Sequence, residues 1–511
     1  MQQYYSATRD ERVIDFMTKY FRYQLATLPP TPLGNWTFWA EFRACDNLQA
    51  VYWFYNITGE AFLLDLGNLL HEQSFNFIDM FLNRDHLTRF NSIHCVNLAQ
   101  GLKEPVIYYQ QKPEKSYIDA VKKGLADIRK YNGQPQGMFG GDEGLHGNNP
   151  TQGSELCSAV ELMYSLEKMM EITGDLTFTD HLERIAFNAL PTQITDDFMN
   201  KQYFQQANQI MITRHPHNFY EDAHHAATDI IYGTRTGYPC CFSNMHQAWP
   251  KFTQSLWYAT PDKGIAALAY SPSEVVAQVG DGHEISIIED TYYPMDDKIR
   301  FTIRLSNSVK EVTFPFHLRI PEWCKGAAVT INGITDSING GSDMAILHRP
   351  WKDGDQVILS LPMKVESSRW YENSVAIERG PLVYALKMEE RWMKKEFVGK
   401  ERNQFGFDYY EVSSPTKWNY GILSATIEDL EKNSQVTIDP DKQSCDYFWN
   451  VRNAPIQIKL KAKEMTSWRI YNEMTGPLPF STSKSEQPEE EIVLVPYGCT
   501  TLRISEFPVV R

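Results

Sequence analysis

Three thiols and one carboxylate are the side chains of this sequence best suited to chemistry. Glu155 and Cys157 stand two positions apart, and Cys240 and Cys241 follow as an adjacent pair far downstream. A disulfide between sequence neighbours needs a distorted peptide, well outside the usual bridge dimensions. A shared metal is the easier account. Zinc takes four ligands from Cys, His, Asp and Glu, and Glu155, Cys157, Cys240 and Cys241 supply that number. The spacing is not that of a zinc finger, so a set of buried free cysteines stands as the plainer alternative.

The elements that must carry these residues follow from geometry. Two positions on an ideal helix lie roughly 200° apart around the axis, so Glu155 and Cys157 can reach one ion only at a helix end. Pro150-Thr151-Gln152-Gly153-Ser154 supplies that end: turn residues, then a serine able to cap the apolar-periodic run 159–170. Cys157 then falls in a first turn, where the helix dipole favours thiolate.

The chain is long enough, at 511 residues and 42% hydrophobic, to form about two to four domains. Its net charge of -15 comes from 49 basic and 64 acidic residues without a basic block, which argues against nucleic acid or an anionic membrane surface as partner. No apolar run reaches membrane-spanning length, and the first residues lack the regions of a signal peptide. Eight scattered cysteines are too sparse for a disulfide scaffold.

Residues 10–259 carry helical periodicity, with helices expected at 12–28, 46–55, 60–81, 92–102, 116–131, 155–172, 179–190 and 244–258. A phrase recurs: an amphipathic helix ends at Thr58-Gly59 or Thr173-Gly174, and Glu60 or Asp175 opens the next. That is the mark of repeated helical hairpins, which close into an α/α toroid or continue as an open solenoid. After about residue 260 the period changes from 3.6 to 2, with Ile331-Asn332-Gly333 marking a hairpin. The expected division is a helical domain over 1–260, a β-sandwich over 261–388, and an irregular excursion over 389–511 that ends in a second β-domain or completes the first.

Several phrases in this order resemble one family: Gly137-Met-Phe-Gly-Gly-Asp-Glu143, Glu155-Leu-Cys157, Leu182-Glu183-Arg184, Cys240-Cys241 with Asn244, Leu318-Arg-Ile-Pro-Glu-Trp323, and Glu378-Arg-Gly-Pro-Leu-Val-Tyr384. They are similar to the bacterial glycoside hydrolases of family 127, related to non-reducing-end β-L-arabinofuranosidases. The resemblance implies an (α/α)6-type toroid followed by antiparallel β-sandwich domains. By it, Glu155, Cys157, Cys240 and Cys241 hold zinc, Cys240 is the nucleophile of a retaining mechanism, and Glu143 is the acid/base. His94, Asn47, Glu183, Tyr203 and Tyr238 take positions that contact sugar or brace the site. Asn47 and Tyr238 stand where arabinofuranosidases of the family carry histidine, which implies retained chemistry with an altered substrate. With about eight helices against the twelve of a full toroid, some amino-terminal helices are expected to be missing.

The expected activity is removal of a terminal L-sugar furanoside, by default β-L-arabinofuranose, from plant cell-wall oligosaccharides, in the periplasm or cytoplasm of a bacterium. A branched acidic pectin sugar such as L-aceric acid is an alternative substrate. A carbohydrate-binding protein with structural zinc and a lyase on the same toroid are alternatives of other classes.

Overall fold

The computed structural model of the chain describes residues 1–89, 93–217, 219, 225–306, 309–337, 343–444 and 447–511. Its amino-terminal half is helical, and β-rich domains follow. The recurring Thr-Gly phrase has one structural cause. The helices Ala44–Thr58 and Leu156–Thr173 both end on a left-handed glycine, Gly59 at φ 68 and Gly174 at φ 69, a conformation that favours a residue without Cβ. In each, the threonine hydroxyl donates one turn back, to Phe54 O or Met169 O, and accepts from the N–H of the acidic residue that follows.

The helix expected over 60–81 is two, Phe62–Gln73 and Phe77–Asn83, because the Asn76 side chain accepts from the Asp79 N–H and starts a new one. The helix expected from Ser92 runs Cys95–Gly101, and Ser92 itself lies outside the described residues. The 179–190 segment is Thr177–Arg184 followed by one wide turn, Ile185–Ala189. The last helix of this half starts four residues earlier than its periodicity indicates, at Cys240, and runs to Gln254.

Two sheets follow. One orders its strands Ser273–Val279, His283–Thr291, Lys298–Leu305, Gln356–Ser360, Ala328–Ile331 and Ile334–Ser337; the other orders Asp343–Trp351, Val312–Ile320, Ile265–Ala267 and Trp257–Ala259. The buried rings of Phe301, Phe314, Phe316 and Trp351 belong to the core. Asn332 and Gly333 make the expected turn, both with positive φ. Strands Val365–Arg369, Val375–Arg379 and Leu382–Leu386 join a different sheet, completed by Glu489–Pro496, Ile456–Glu464, Tyr420–Leu423 and Val509–Val510. The break between sheets therefore falls near 362, earlier than the 388 expected, since alternation marks a strand without naming its partner.

The 389–435 excursion is not irregular throughout. Its hairpin, Arg391–Glu396 with Asp408–Ser413, pairs with Tyr232–Gly233, which pairs in turn with Lys201–Gln202. The C-terminal part of the chain thus buttresses the helical half beside the Cys pair. Arg184 adds a bidentate ion pair to Glu378 at 2.6 and 3.1 Å. No helix among the described residues is long and apolar enough to cross a membrane.

Candidate active site

A small sheet aligns the acidic residues. Gly144–Leu145, Gly141–Asp142, Ser154–Glu155 and Phe204–Gln205 lie side by side in that order. Glu143 sits at the tip of the first hairpin, between the paired Asp142 and Gly144, with φ at 72. A left-handed non-glycine residue costs about 1 kcal/mol or more and persists where its surroundings impose it. The Glu143 carbonyl accepts from the Cys95 N–H at 2.7 Å. A Cβ on Gly141 would come within 2.8 Å of Cys95 Cβ, so glycine is what lets the hairpin lie on the start of that helix.

The thiols enter on helix starts. Glu155 is the N-cap of Leu156–Thr173 in extended conformation, one residue later than the Ser154 cap expected. Cys157 lies in the first turn, and Cys240 and Cys241 are the first two residues of Cys240–Gln254. Two helix N-termini therefore point their positive ends at one cluster. The turn before Cys240 is held by Lys201, wholly buried, whose Nζ donates to Thr236 O and, at 2.9 Å, to Tyr238 O. Gly237, at φ 60, packs on the Tyr203 ring so closely that a Cβ there would overlap it.

Candidate ligand atoms of Glu155, Cys157, Cys240 and Cys241 all lie within 4.8 Å of one another. Cys157 Sγ is 3.1 Å from Cys241 Sγ, and Glu155 Oε1 is 3.5 Å from Cys241 Sγ and 3.9 Å from Cys240 Sγ. Sulfurs 2.3 Å from a tetrahedral zinc would be roughly 3.8 Å apart, close to this spread. Burial pushes Glu155, Cys157 and Cys241 well above their ordinary pKa ranges. Hydrogen bonds from Cys157 and Cys241, with the Lys201 charge, hold Cys240 down to about 3. Such a buried, acid-rich set fits a dication, which would stabilise all four anions together. Cys240 is the exposed member; the other three are buried. The Cys95 thiol donates to Glu155 Oε2 at 3.3 Å.

Beside the cluster, Glu143 is gripped from several sides. The buried Tyr203 hydroxyl donates to Glu143 Oε1 at 2.5 Å. His94 Nδ1 accepts from the Asn97 N–H at 3.3 Å, so Nε2 carries the proton and faces Glu143 Oε2 at 3.2 Å. His225 Nε2 lies 3.6 Å from Glu143 Oε1, with its Nδ1 against buried Asp229. His94, Glu143 and Glu155 also lie close enough to hold an ion, but the His94 N–H already serves Glu143, and Glu155 is shared with the thiols.

The expected site residues divide accordingly. Glu143, Glu155, Cys157, Cys240, Cys241, His94 and Tyr203 come together. Tyr238 directly precedes Pro239-Cys240, is 42% exposed, and packs its ring on His225 and Tyr203. Glu183 does not join them. Wholly buried, it faces the β-sandwich, 2.5 Å from an Arg319 guanidinium nitrogen and accepting from the Tyr293 hydroxyl at 2.7 Å. Asn47 is placed elsewhere too: it donates to Gln24 and lines a surface hollow with Met1, Phe16 and Tyr20. Lys201, Cys95, His225 and Asp229 were not singled out by sequence. The only signal for the last two was a histidine doublet followed by an acid four positions on.

Residues 1–254 match the family model described as the β-L-arabinofuranosidase GH127 catalytic domain, and 264–363 match that of the GH127 middle domain. A non-reducing-end β-L-arabinofuranosidase of Bifidobacterium longum is 26% identical over 249 residues, 47% of this chain. The chain spans about a third of that relative's length, 36%. Among solved structures, a GH127 β-L-arabinofuranosidase from Geobacillus stearothermophilus T6 aligns with a TM-score of 0.68 at 18% identity, over 99% of this chain and 78% of that one. A protein described as a glycoside hydrolase aligns at 0.69 and 17% identity, over 99% and 81%. These two share the fold.

Proposed function

The chain belongs to the glycoside hydrolase family 127, and on that premise we propose that it is a retaining glycosidase releasing a terminal L-sugar furanoside, β-L-arabinofuranose by default, from plant cell-wall oligosaccharides. The observation that carries the reading is the contrast within the cluster: three ligand candidates are buried, and Cys240 alone is exposed, beside a carboxylate that accepts from a tyrosine and faces His94.

Glu155, Cys157, Cys240 and Cys241 would hold zinc, which when bound keeps the thiols deprotonated near neutral pH. Cys240 Sγ attacks the anomeric carbon as the bond to the leaving oxygen breaks. Glu143 gives that oxygen its proton. In the second step Glu143 takes a proton from water, the water oxygen attacks the anomeric carbon, and the carbon–sulfur bond breaks to return the Cys240 thiolate. Tyr203 and His94 orient the Glu143 carboxyl from its two oxygens. Lys201 fixes the turn from which Cys240 projects. The exposed Tyr238 borders the nucleophile where a sugar hydroxyl would lie; such hydrogen-bonding positions discriminate strongly between related sugars.

A full four-ligand set is also the usual mark of a structural metal, which is the observation favouring a carbohydrate-binding protein instead. Assays of free sugar released from L-arabinofuranosides and pectin oligosaccharides, with Cys240→Ala and Glu143→Gln alongside, separate the two. Release by the unmodified protein and none by either variant is the enzyme's result. Saccharide binding without release by any form would overturn the enzymatic reading.

A further inference from the structure

The helix Phe38–Phe42 and the residues before it present three large rings to solvent: Trp36 is 54%, Phe38 55% and Trp39 39% exposed. Water-facing rings in one short segment call for an occupant. Their place in the molecule points to which one. The Trp39 ring meets the His94 imidazole edge-on, with centroids 4.9 Å apart, and His94 Nε2 faces Glu143 Oε2. Phe38 leans on Trp39 at 4.4 Å with planes 48° apart, and packs edge-on against Phe42.

The segment is tied to the same group through a second route. The Arg43 guanidinium covers one side of the Trp39 ring at 4.5 Å, and Arg43 Nε donates to Asn97 Oδ1 at 2.9 Å. Asn97 N–H is the donor that fixes the His94 tautomer. Trp39, Arg43, Asn97, His94 and Glu143 thus form a connected series that ends on the carboxyl oxygen opposite the one Tyr203 holds.

We infer that Trp39 and Phe38 form the leaving-group platform of this site, a subsite on which the saccharide released with the glycosidic oxygen stacks the C–H face of its first ring. This rests on the glycosidase reading above. An acid must face the glycosidic oxygen, and next to Glu143 stand His94 and then the rings, within reach of the group that this oxygen carries away. Aromatic faces suit a saccharide because its axial C–H bonds form an apolar patch, while Arg43 offers its remaining N–H donors to hydroxyls at the rim. The platform also makes the leaving group part of specificity: binding energy gained there serves long substrates and is lost on truncated ones.

The test compares the full chain with Phe38→Ala, Trp39→Ala and the double variant on two substrates carrying the same L-arabinofuranosyl group, one a disaccharide and one the methyl glycoside. The quantity read is the ratio of their kcat/KM values. The ratio of disaccharide to methyl glycoside is expected to fall by about threefold for each single variant and about tenfold for the double, chiefly through the disaccharide KM. Phe38 packs on Trp39 and Phe42, and it is Trp39 that meets His94, so the Phe38 variant reads stacking with the ring on His94 kept. An unchanged ratio, with the unmodified protein active, would overturn the platform and leave the glycosidase standing. Failure of the unmodified protein to cleave either substrate would overturn the glycosidase reading, and the platform with it.

Discussion

Arg319 joins the helical half to the β-sandwich, and its removal has a consequence that can be worked out in sign and size. Its guanidinium is wholly buried and binds Asp180 and Glu183, both from Thr177–Arg184, while its Nε donates to Leu268 O. Arg319→Leu keeps the apolar stem and deletes the charge, leaving two carboxylates and a carbonyl without that partner. Removing one member of a buried pair costs about 3–5 kcal/mol. The deficit should depend on pH. Burial raises Asp180 to about 6, against an opposing pull from Arg319, so between about pH 6 and its unfolded value of 3.8 the native state binds a proton that the unfolded chain does not. Stability from this group therefore rises as pH falls through that window. Without Arg319 the opposing pull is gone, the rise begins at higher pH, and the variant should recover part of its deficit between pH 8 and pH 5. Urea unfolding at both pH values, followed by tryptophan fluorescence through the first transition, measures it. A deficit below about 1 kcal/mol, or one equal at both pH values, would refute the bridging role given to Arg319 and Glu183.

Glu143→Gln should abolish sugar release while leaving bound zinc, measured by plasma mass spectrometry, at the level of the unmodified protein. Cys157→Ala should lose zinc and activity together, because it removes a buried donor from the middle of the set. Lys201→Met should lower kcat by roughly tenfold or more with helix content unchanged by circular dichroism, since misplacing a nucleophile by a fraction of an ångström is costly and Lys201 anchors the carbonyls just before Cys240.

Sequence revealed what local rules govern. The vicinal cysteines stood out because their simplest alternative is geometrically poor, and the two-residue spacing of Glu155 and Cys157 required a helix end, which is where they lie. The Thr-Gly phrases gave helix ends because the glycine conformation and the threonine hydrogen bonds are local. What depends on long-range packing was hidden. Glu183 stands in a family-like motif, yet the face it occupies is decided by Arg319, far along the chain in another domain. The start of Cys240–Gln254 has no periodic signal, because Pro239-Cys240-Cys241 carries no apolar period. Strands such as the wholly buried Leu382–Leu386 carry no mark of which sheet they join, and only their partners at the carboxyl end assign them to the later one. His225 faces Glu143 with Asp229 behind it, in a stretch whose sequence offers no periodicity.

The most direct measurement is the mass of the Cys240 peptide after the protein is mixed with an activated L-arabinofuranoside and quenched in acid, using Glu143→Gln to slow the second step. The expected result is an increase of one anhydropentosyl unit on Cys240, absent when Cys240 is alanine. Sugar release by the unmodified protein with no adduct, and persisting in Cys240→Ala, would contradict it.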